Sequence, residues 1–367
     1  MKILHICNDY FGTKLYKKLF DNLSTRNHTN LIYIFLKKDV IIKQNEIEKN
    51  IVISKCYGKI LRFFYFLKQR KIFKELEHKI KIHNFDIIHA HTLFSNGDIA
   101  YRIKMKYKIP YIVAIRNTDI NIFFKYLFFL RKHGIKIMEN ADKIIFLSPT
   151  YKKECLNRYI SAKYKEKFEK KMCIIPNGID SFWIENLIIG KKKHEELRLI
   201  YVGSIDRNKN VKTTIMACKE LRKKGYNVKF TIIGDIIVKT INLNESFINY
   251  IPFCSKEKIK EYLSKNDIFV MPSKYETFGL VYAEALSQGL PIIYTKGQGF
   301  DEQIPEGIVG HSVRYDDIEE IVRKIILIYE NYEKYSNNIK NFIHNFDWIN
   351  ISREYSNIYN DINGGKL

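Results

Sequence analysis

The sequence has no apolar run long enough to cross a membrane as a helix. Among its 367 residues, no stretch reaches the roughly 18 consecutive apolar residues that a spanning helix needs. The segments Ile60–Leu67 and Phe123–Leu130 are the most apolar, but they contain Arg62 and Lys125 and end at Lys68 and Arg131. The first residues also lack an apolar leader followed by a small-residue cleavage site. We therefore expect a cytoplasmic protein without a transmembrane helix.

Several motifs that would define a function class are also missing. The six cysteines form no C-x-x-C pair, which predicts reduced thiols. There is no Walker motif, no G-x-G-x-x-G after the first strand and no manganese-binding D-x-D, so we expect no cofactor and no metal. His89 and His91 alternate at the end of a strand and are predicted to face opposite sides, with His89 packed in the core.

Acidic residues are scarce in the first half of the chain. The whole chain carries a net charge of +22, and residues 1–184 hold 36 basic and 16 acidic side chains, a net of +20. The remaining residues hold 26 and 24, a net of +2. A localised positive field suggests an anionic partner such as a membrane surface, a nucleic acid or a phosphorylated ligand. A compositional bias toward lysine, with no partner, is the alternative.

Short Ile- and Val-rich runs alternate with longer amphipathic segments, which is typical of doubly wound α/β sheets. The pattern restarts near Leu197, after an expected linker at Glu185–Glu196. We predict two Rossmann-like domains facing each other, at residues 1–184 and 197–345, with a closing helix at 346–362 that packs on the first domain. The predicted strands are Lys2–Cys7, Leu31–Leu36, Asp86–Ala90, Tyr111–Ile115, Lys143–Ser148, Cys173–Ile175, Leu197–Gly203, Val228–Gly234, Ile268–Met271 and Pro291–Tyr294.

The strongest candidate site follows the strand Ile268–Met271. A helix is predicted to begin near Phe278 and Gly279, and a helix N-terminus with a glycine favours a phosphate. Glu276 precedes this helix and Glu284 lies about two turns along it. Two carboxylates around a phosphate-binding helix start suit a nucleotide-sugar. Alternatively, Glu276 is a capping acid and Glu284 a solvated helix residue.

Glu276 and Glu284 resemble the E-x7-E motif of the retaining glycosyltransferases of family four, which have the GT-B fold. The resemblance extends over nearly the whole chain. Its segments are MKILHICNDY, FDIIHAHTLFSNGDIA, PYIVAIRNTDI, IIPNGID, LIYVGSIDRNKNV, FTIIGD, DIFVMPS and the closing FDWINISREYSNIY.

The resemblance implies a donor site around the helix start and the turn after the strand Leu197–Gly203. Lys209 falls where the family has its diphosphate-binding lysine, whereas Ser204 replaces an arginine that is common there. Arg207 either compensates for that change or is a solvated loop residue. The implied donor-binding residues are Gly12, Ser204, Arg207, Lys209, Phe278, Gly279, Leu280 and Glu284.

The implied catalytic residues are Glu276, Arg116 and Asp119. Arg116 falls where family members commonly have a histidine, and an arginine does not act as a general base at neutral pH. A front-face mechanism, in which the leaving phosphate accepts the acceptor proton, remains compatible. Arg116 then stabilises that phosphate, binds an anionic acceptor, or simply pairs with an acid such as Asp119. Asp119 either holds an acceptor hydroxyl or braces the loop.

Two segments of the first half mix aromatic and basic residues. They are Ile60–Lys74 and Ile122–Lys132. Such segments lie at membrane interfaces with aromatics in the lipid and cations on the phosphates. The alternative is that the aromatics face the sheet and the lysines face water. With the charge asymmetry, they favour peripheral contact with an anionic membrane, at its inner face.

The resulting prediction is a glycosyltransferase that moves a sugar from a nucleotide-diphosphate sugar to a glycan acceptor in capsule, lipopolysaccharide or similar surface polysaccharide synthesis. The family resemblance implies that this acceptor is lipid-linked. A GT-B nucleotide-sugar epimerase is the second hypothesis. A basic nucleic-acid-binding protein is the third, although no helix-turn-helix, zinc finger or RNP motif supports a nucleic-acid partner.

Overall fold

The computed structural model describes residues 1–42, 48–238 and 241–364. The chain divides into two compact units. The first comprises Met1–Leu147, Tyr151–Ile175 and the closing segment from Trp348, and the second comprises Ser148–Thr150 and Pro176–Asp347. Residues 176–184, which the sequence analysis assigns to the first domain, therefore belong to the second unit.

The first unit is built on a seven-stranded parallel sheet with the strand order β3-β2-β1-β4-β5-β6-β7. Its strands are β1 Lys2–Ile6, β2 Thr29–Lys37, β3 Ile51–Tyr57, β4 Ile87–Ala90, β5 Tyr111–Ile115, β6 Lys143–Phe146 and β7 Met172–Ile174. The helices in this part of the chain are α1 Lys14–Ser24, α2 Tyr65–Lys79, α3 Gly97–Tyr107, α4 Arg131–Asn140, α5 Pro149–Arg158 and α6 Lys165–Glu169.

The second unit is built on a six-stranded parallel sheet with the order β10-β9-β8-β11-β12-β13. Its strands are β8 Leu197–Val202, β9 Val228–Ile233, β10 Ile248–Ile251, β11 Ile268–Val270, β12 Ile292–Thr295 and β13 Gly310–Val313. Its helices are α7 Ser181–Glu185, α8 Val211–Lys223, α9 Lys256–Ser264, α10 Leu280–Ser287, α11 Ile318–Glu330 and α12 Tyr332–Asn338. The final helix of the chain, α13 Trp348–Gly364, belongs to the first unit.

The central strands are continuous apolar runs because helices cover both faces of each sheet. All five residues of β5 and all four of β4 are buried. Two separate apolar cores of the first unit lie on the two faces of its sheet, and α13 contributes to one of them. This arrangement, together with the strand orders, is that of two Rossmann-like domains, as the sequence predicts.

Helix α13 is held by an apolar stripe and by hydrogen bonds. Trp348, Ile351, Tyr355 and Tyr359 are buried at helical spacing against the core that also contains α1. The guanidinium of Arg26 donates to the carbonyl of Ile349 at 2.6 Å. The closing helix, which is predicted to span 346–362, instead spans Trp348–Gly364; residues 365–367 lie outside the described residues.

The expected linker at Glu185–Glu196 is packed on the second unit. The amide of Ile188 donates to the carbonyl of Ser287 at 2.9 Å. The imidazole Nδ1 of His194 lies 2.7 Å from the Asp267 carboxylate. These contacts account for the assignment of this segment to the second unit.

Within the described ranges, none of the helices combines the length and apolar character that crossing a bilayer requires.

Candidate functional site

The turn after β8 is ordered by the carboxylate of Asp206. Its Oδ1 accepts hydrogen bonds from the amides of Asn208 and Lys209, each at 2.8 Å. Its Oδ2 accepts a hydrogen bond from the Ser204 hydroxyl at 2.8 Å. The Ser204 hydroxyl is therefore engaged within the turn in this structure. An aspartate that bonds amides two and three residues ahead fixes the course of a loop.

Two glycines permit a close approach beside this turn. Gly203 has φ 151° and Gly234, after β9, has φ 143°. A Cβ on Gly234 would lie 1.9 Å from the carbonyl oxygen of Gly203, so only glycine fits there. The loops after β8 and β9 are thereby brought together at the carboxyl edge of the sheet, where open α/β sheets bind their ligands.

Asn208 joins the turn after β8 to the loop after β11. Its side-chain amide donates to the carbonyl of Tyr275 at 2.9 Å and accepts from the Tyr275 amide at 3.0 Å. Its own carbonyl accepts from the amide of Lys274 at 2.8 Å. The sequence analysis did not single out Asn208 or Asp206. Their position in the motif LIYVGSIDRNKNV was the available signal, but it does not reveal which loop they contact.

Lys209 and Glu276 form an ion pair across these two loops. The ammonium Nζ lies 2.5 Å from Oε2 of the carboxylate, and both side chains are largely buried. The other oxygen, Oε1, accepts from the Thr277 amide at 3.1 Å, and the Glu276 amide donates to Gln298 at 3.0 Å. The structure thus brings together two residues that are 67 apart in sequence and that were predicted to bind one donor.

Gly279 is the N-cap of α10 and adopts φ +77°. A Cβ here would lie 2.4 Å from the Tyr282 ring and 3.1 Å from Cγ of Glu276, so the glycine lies directly against Glu276. A glycine N-cap supplies no side-chain acceptor to the first turn, and a helix N-terminus attracts anions. Leu280 begins the helix and is half-buried. These features place a helix start beside the Lys209–Glu276 pair.

Phe278 is buried and does not present its ring to a ligand. It is 2% exposed and packs against the rings of Phe300 and Phe346. Any contribution of Phe278 to ligand binding is therefore confined to its backbone.

Glu284 has different neighbours from the Lys209–Glu276 pair, namely Trp183 and Asp180. Burial raises the pKa of its carboxyl to about 7, while the side chain of Trp183 beside it opposes that rise and the charge of Asp180 adds to it. These two neighbours come from α7 and its N-cap. At neutral pH a substantial fraction of Glu284 therefore carries a proton, which makes it a hydrogen-bond donor as well as an acceptor.

Arg207 is exposed and lines a small cavity of about 160 Å³ next to the turn after β8. Two further cations, Lys212 and Lys274, line the same cavity. Three cationic side chains line the cavity, which suits a phosphate-binding role for Arg207, and its side chain is also exposed to solvent. Both predicted roles, phosphate contact and solvated loop residue, therefore remain open.

In the first unit, Asp119 is buried and fully engaged with backbone groups. Its carboxylate accepts from the amides of Leu93 at 3.0 Å, Phe94 at 3.1 Å and Arg116 at 2.9 Å. Burial raises the pKa of Asp119, and these amides oppose the rise. The geometry matches the loop-bracing role that the sequence analysis considered for this residue.

Arg116 follows β5, and its guanidinium is buried in the first unit. Its Nε donates to the carbonyl of His91 at 3.2 Å, whereas its buried Nη1 has no hydrogen-bond partner among the described residues. The hydroxyl-bearing rings of Tyr16 and Tyr355 are close enough to interact with it electrostatically. A buried guanidinium nitrogen without a partner is suited to an anionic ligand group.

Gly12 lies in the turn after β1 and lines a different cavity of about 560 Å³ in the first unit. Tyr10, Lys14, Lys17 and Glu48 line it too. A Cβ on Gly12 would lie 2.6 Å from the Asp9 carboxylate. A larger residue at this position would therefore require the Asp9 carboxylate to move.

The prediction that His89 and His91 face opposite sides is wrong. Their rings stack with centroids 3.9 Å apart, and both are fully buried. The strand β4 ends at Ala90, so the alternation of side chains ends one residue before His91.

The aromatic and basic segments expose several large rings in the first unit. Phe63 is 86% exposed and Phe128 is 71% exposed, and Phe64, Phe66, Tyr126 and Phe129 are also exposed. The interpretation in which these aromatics face the sheet therefore fails for most of them. It holds for Phe124, which is buried, and for Phe73 and Phe123, which pack against the core.

Comparison with known families accounts for most of the chain. Residues 185–344 match the family described as Glycosyl transferases group 1, and residues 38–181 match Glycosyltransferase Family 4. A curated relative is the alpha-monoglucosyldiacylglycerol synthase of Acholeplasma laidlawii, which is 27% identical over 286 residues, covering 71% of this chain and 70% of the relative.

Solved structures of glycosyltransferases share the fold. The apo lipopolysaccharide outer core galactosyltransferase WaaB matches with a TM-score of 0.75, 18% identity and complete coverage of both chains. Anabaena HepE in complex with UDP and glucose matches with a TM-score of 0.63 and 16% identity, covering 97% of this chain and 98% of that one.

Proposed function

Because the chain belongs to glycosyltransferase family 4 and has the GT-B fold, we propose that it is a retaining enzyme that transfers a hexose from a nucleotide-diphosphate sugar to a glycan. The acceptor in this proposal is lipid-linked, and the product belongs to a surface polysaccharide. The single observation that carries the proposal is the Lys209–Glu276 ion pair beside the glycine-capped start of α10.

The charges at this site suit a nucleotide-sugar. The Lys209 ammonium is a point charge for the diphosphate, and the N-terminus of α10 offers amides to the same group. The Glu276 carboxylate accepts hydrogen bonds from sugar hydroxyls. Similarity to a protein solved with UDP and glucose supports a donor of this class.

The proposed transfer takes place on one face of the sugar. The bond from the anomeric carbon to the diphosphate oxygen breaks, and the acceptor oxygen bonds to the anomeric carbon on that same face. The acceptor proton goes to the leaving diphosphate. In this scheme Arg116, which cannot serve as a base, stabilises the phosphate charge or binds an anionic part of the acceptor.

A donor screen tests the proposal. The purified chain is incubated with UDP-, GDP- and ADP-sugars, with and without a lipid extract as acceptor, and release of free nucleotide diphosphate is followed. We expect acceptor-dependent release with one donor class, and little release by the Glu276→Gln variant. Absence of release with every pair, or conversion of the donor to its epimer, would contradict the assignment.

We also propose that the first unit binds the anionic surface of a membrane at its inner face. The two segments that carry the exposed rings are neighbours, because both contact Phe94: the Tyr65 hydroxyl donates to its carbonyl at 2.8 Å and the Phe123 ring stacks on its ring at 4.7 Å. The positive charge of residues 1–184 supplies the attraction, at about 1 kcal/mol per well-placed Lys or Arg. The match to a glycolipid synthase agrees with a substrate at such a surface.

Vesicles of defined composition separate this proposal from simple compositional bias. We expect the chain to sediment with vesicles containing anionic lipid and not with neutral ones, and rising salt to release it, because screening limits the attraction to about 8 Å at physiological salt. No sedimentation at moderate salt, or equal sedimentation with neutral vesicles, would indicate that the positive charge reflects only a compositional bias. It would also favour a soluble acceptor.

A further inference from the structure

Three histidines converge inside the first unit, next to Arg116, whose Nε donates to the carbonyl of His91 at 3.2 Å. His5 lies on β1, His89 on β4, and His91 directly after β4. One ring nitrogen from each lies within 4.8 Å of those of the other two, and all three side chains have no solvent exposure. Nδ1 of His5 is 3.1 Å from Nε2 of His91.

Internal hydrogen bonds do not satisfy this cluster. Nε2 of His5 donates to Oδ1 of Asn30 at 2.9 Å, which leaves Nδ1 of His5 without a proton in the neutral ring. Nε2 of His89 and Nδ1 of His91 have no hydrogen-bond partner among the described residues. Buried polar atoms are nearly always paired, and an ion bound by Nε2 of His89 would account for one of these two unpaired nitrogens.

The surroundings match those of metal-binding histidines. A ligating imidazole is usually oriented by a bond from its other nitrogen. Asn30 supplies that bond to His5, and the hydroxyl of Tyr359 lies 2.7 Å from Nδ1 of His89.

The spacing between the His5 and His91 nitrogens is compatible with one ion. Two nitrogens that each lie about 2.1 Å from a tetrahedral zinc ion are about 3.4 Å apart. The 3.1 Å between His5 and His91 is close to this value. We propose that His5, His89 and His91 bind a zinc-type transition-metal ion, with a water in the remaining position. The ion is structural, because it links β1 and β4 and, through Tyr359, helix α13.

Because no ring is exposed, the ion enters as the chain folds. The full chain is therefore unfolded in denaturant with a chelator, freed of metal, and refolded with either Zn²⁺ or chelator. After desalting, elemental analysis is expected to find about one zinc per folded chain, and the zinc form is expected to unfold at a higher temperature than the chelator form.

Matched variants assign the ion to the cluster. His91→Asn is expected to abolish stoichiometric zinc, whereas His194→Gln, which changes a half-buried histidine of the second unit, is expected to retain it. A refolded wild-type chain without zinc, or equal loading of His91→Asn, would show that the histidines form only a stacked hydrogen-bonded group.

A spectroscopic measurement keeps the proposal testable if His91→Asn does not fold. The wild-type chain is refolded with Co²⁺ in place of Zn²⁺, since cobalt reports its coordination in the visible spectrum. Bands of a nitrogen-bound four-coordinate ion support the site. The spectrum of hydrated Co²⁺ overturns it.

Discussion

In the second unit, Lys209 and Glu276 face each other across two loops at the edge of the sheet, whereas in the first unit Arg116 and Asp119 are withdrawn and bonded to backbone groups. Both units have the same parallel architecture, so the architecture does not determine where the charges lie. The second unit offers side-chain charges to a ligand. The first offers an unpaired guanidinium nitrogen and, on its surface, exposed rings among cations.

The largest expected effect tests the charge pair of the second unit. Glu276→Gln is expected to lower the turnover number about 100-fold, because it loosens the sugar's reacting geometry, while nucleotide affinity changes little. Initial rates of nucleotide-diphosphate release and calorimetric titration with the nucleotide separate the two effects. A loss of nucleotide affinity with intact turnover would indicate that Glu276 contacts the nucleotide and not the sugar.

Lys209→Ala is expected to weaken nucleotide-diphosphate binding by about 1.5–3 kcal/mol, because a charge-assisted contact is lost. Lys219→Ala is the matched control: Lys219 also pairs with a carboxylate of the second unit, Glu245, at 2.6 Å. Calorimetry should show unchanged affinity for this control. If both variants bind as tightly as the wild-type chain, Lys209 does not contact the diphosphate.

The two units also differ in how they stabilise a buried carboxyl group, and this difference predicts a pH dependence of stability. Three amides stabilise Asp119, whereas Glu284 has a pKa of about 7 that burial has raised. Because the folded state holds the Glu284 proton more tightly than the unfolded state, the contribution of Glu284 to the free energy of unfolding falls by about 3 kcal/mol as pH rises from about 4.5 to 7. Glu284→Gln should gain stability relative to wild type over that window, as measured by chemical denaturation. A pH-independent difference would contradict the raised pKa.

The smallest expected effect concerns the exposed rings. Phe63→Ser with Phe128→Ser should reduce sedimentation with anionic vesicles about 10-fold, since apolar burial in the interface is lost. Phe253→Ser removes a ring of the second unit that is 72% exposed and should have no effect. Equal losses in both variants would remove the distinction between the two surfaces.

The strands that the sequence analysis missed share one property. β3, β10 and β13 all lie at the edges of their sheets. An edge strand has one neighbour and need not be a continuous apolar run. β13 reads Gly-His-Ser-Val, and β3 mixes buried and exposed positions. The central strands were predictable because they are buried on both faces.

The site was predictable in its residue types and less so in its contacts. Spacing and family resemblance pointed to Lys209, Glu276 and Gly279, which the structure brings together. They did not reveal that Phe278 is buried, or that the end of β4 turns His91 onto His89. The burial of Phe278 depends on packing against Phe300 and Phe346, which are distant in sequence. The orientation of His91 depends on the residue at which β4 ends, and strand ends are the least predictable part of a strand.

The return of α13 to the first unit has a consequence for synthesis on the ribosome. The second unit is an insertion in the first, so residues 1–175 emerge well before the helix that completes one of their cores. At about 5–20 residues per second, the intervening segment delays that helix by roughly 10–35 seconds. During this interval the positions that Trp348, Ile351, Tyr355 and Tyr359 later cover are open to solvent. A chain shortened at its C-terminus would therefore damage the unit that is made first.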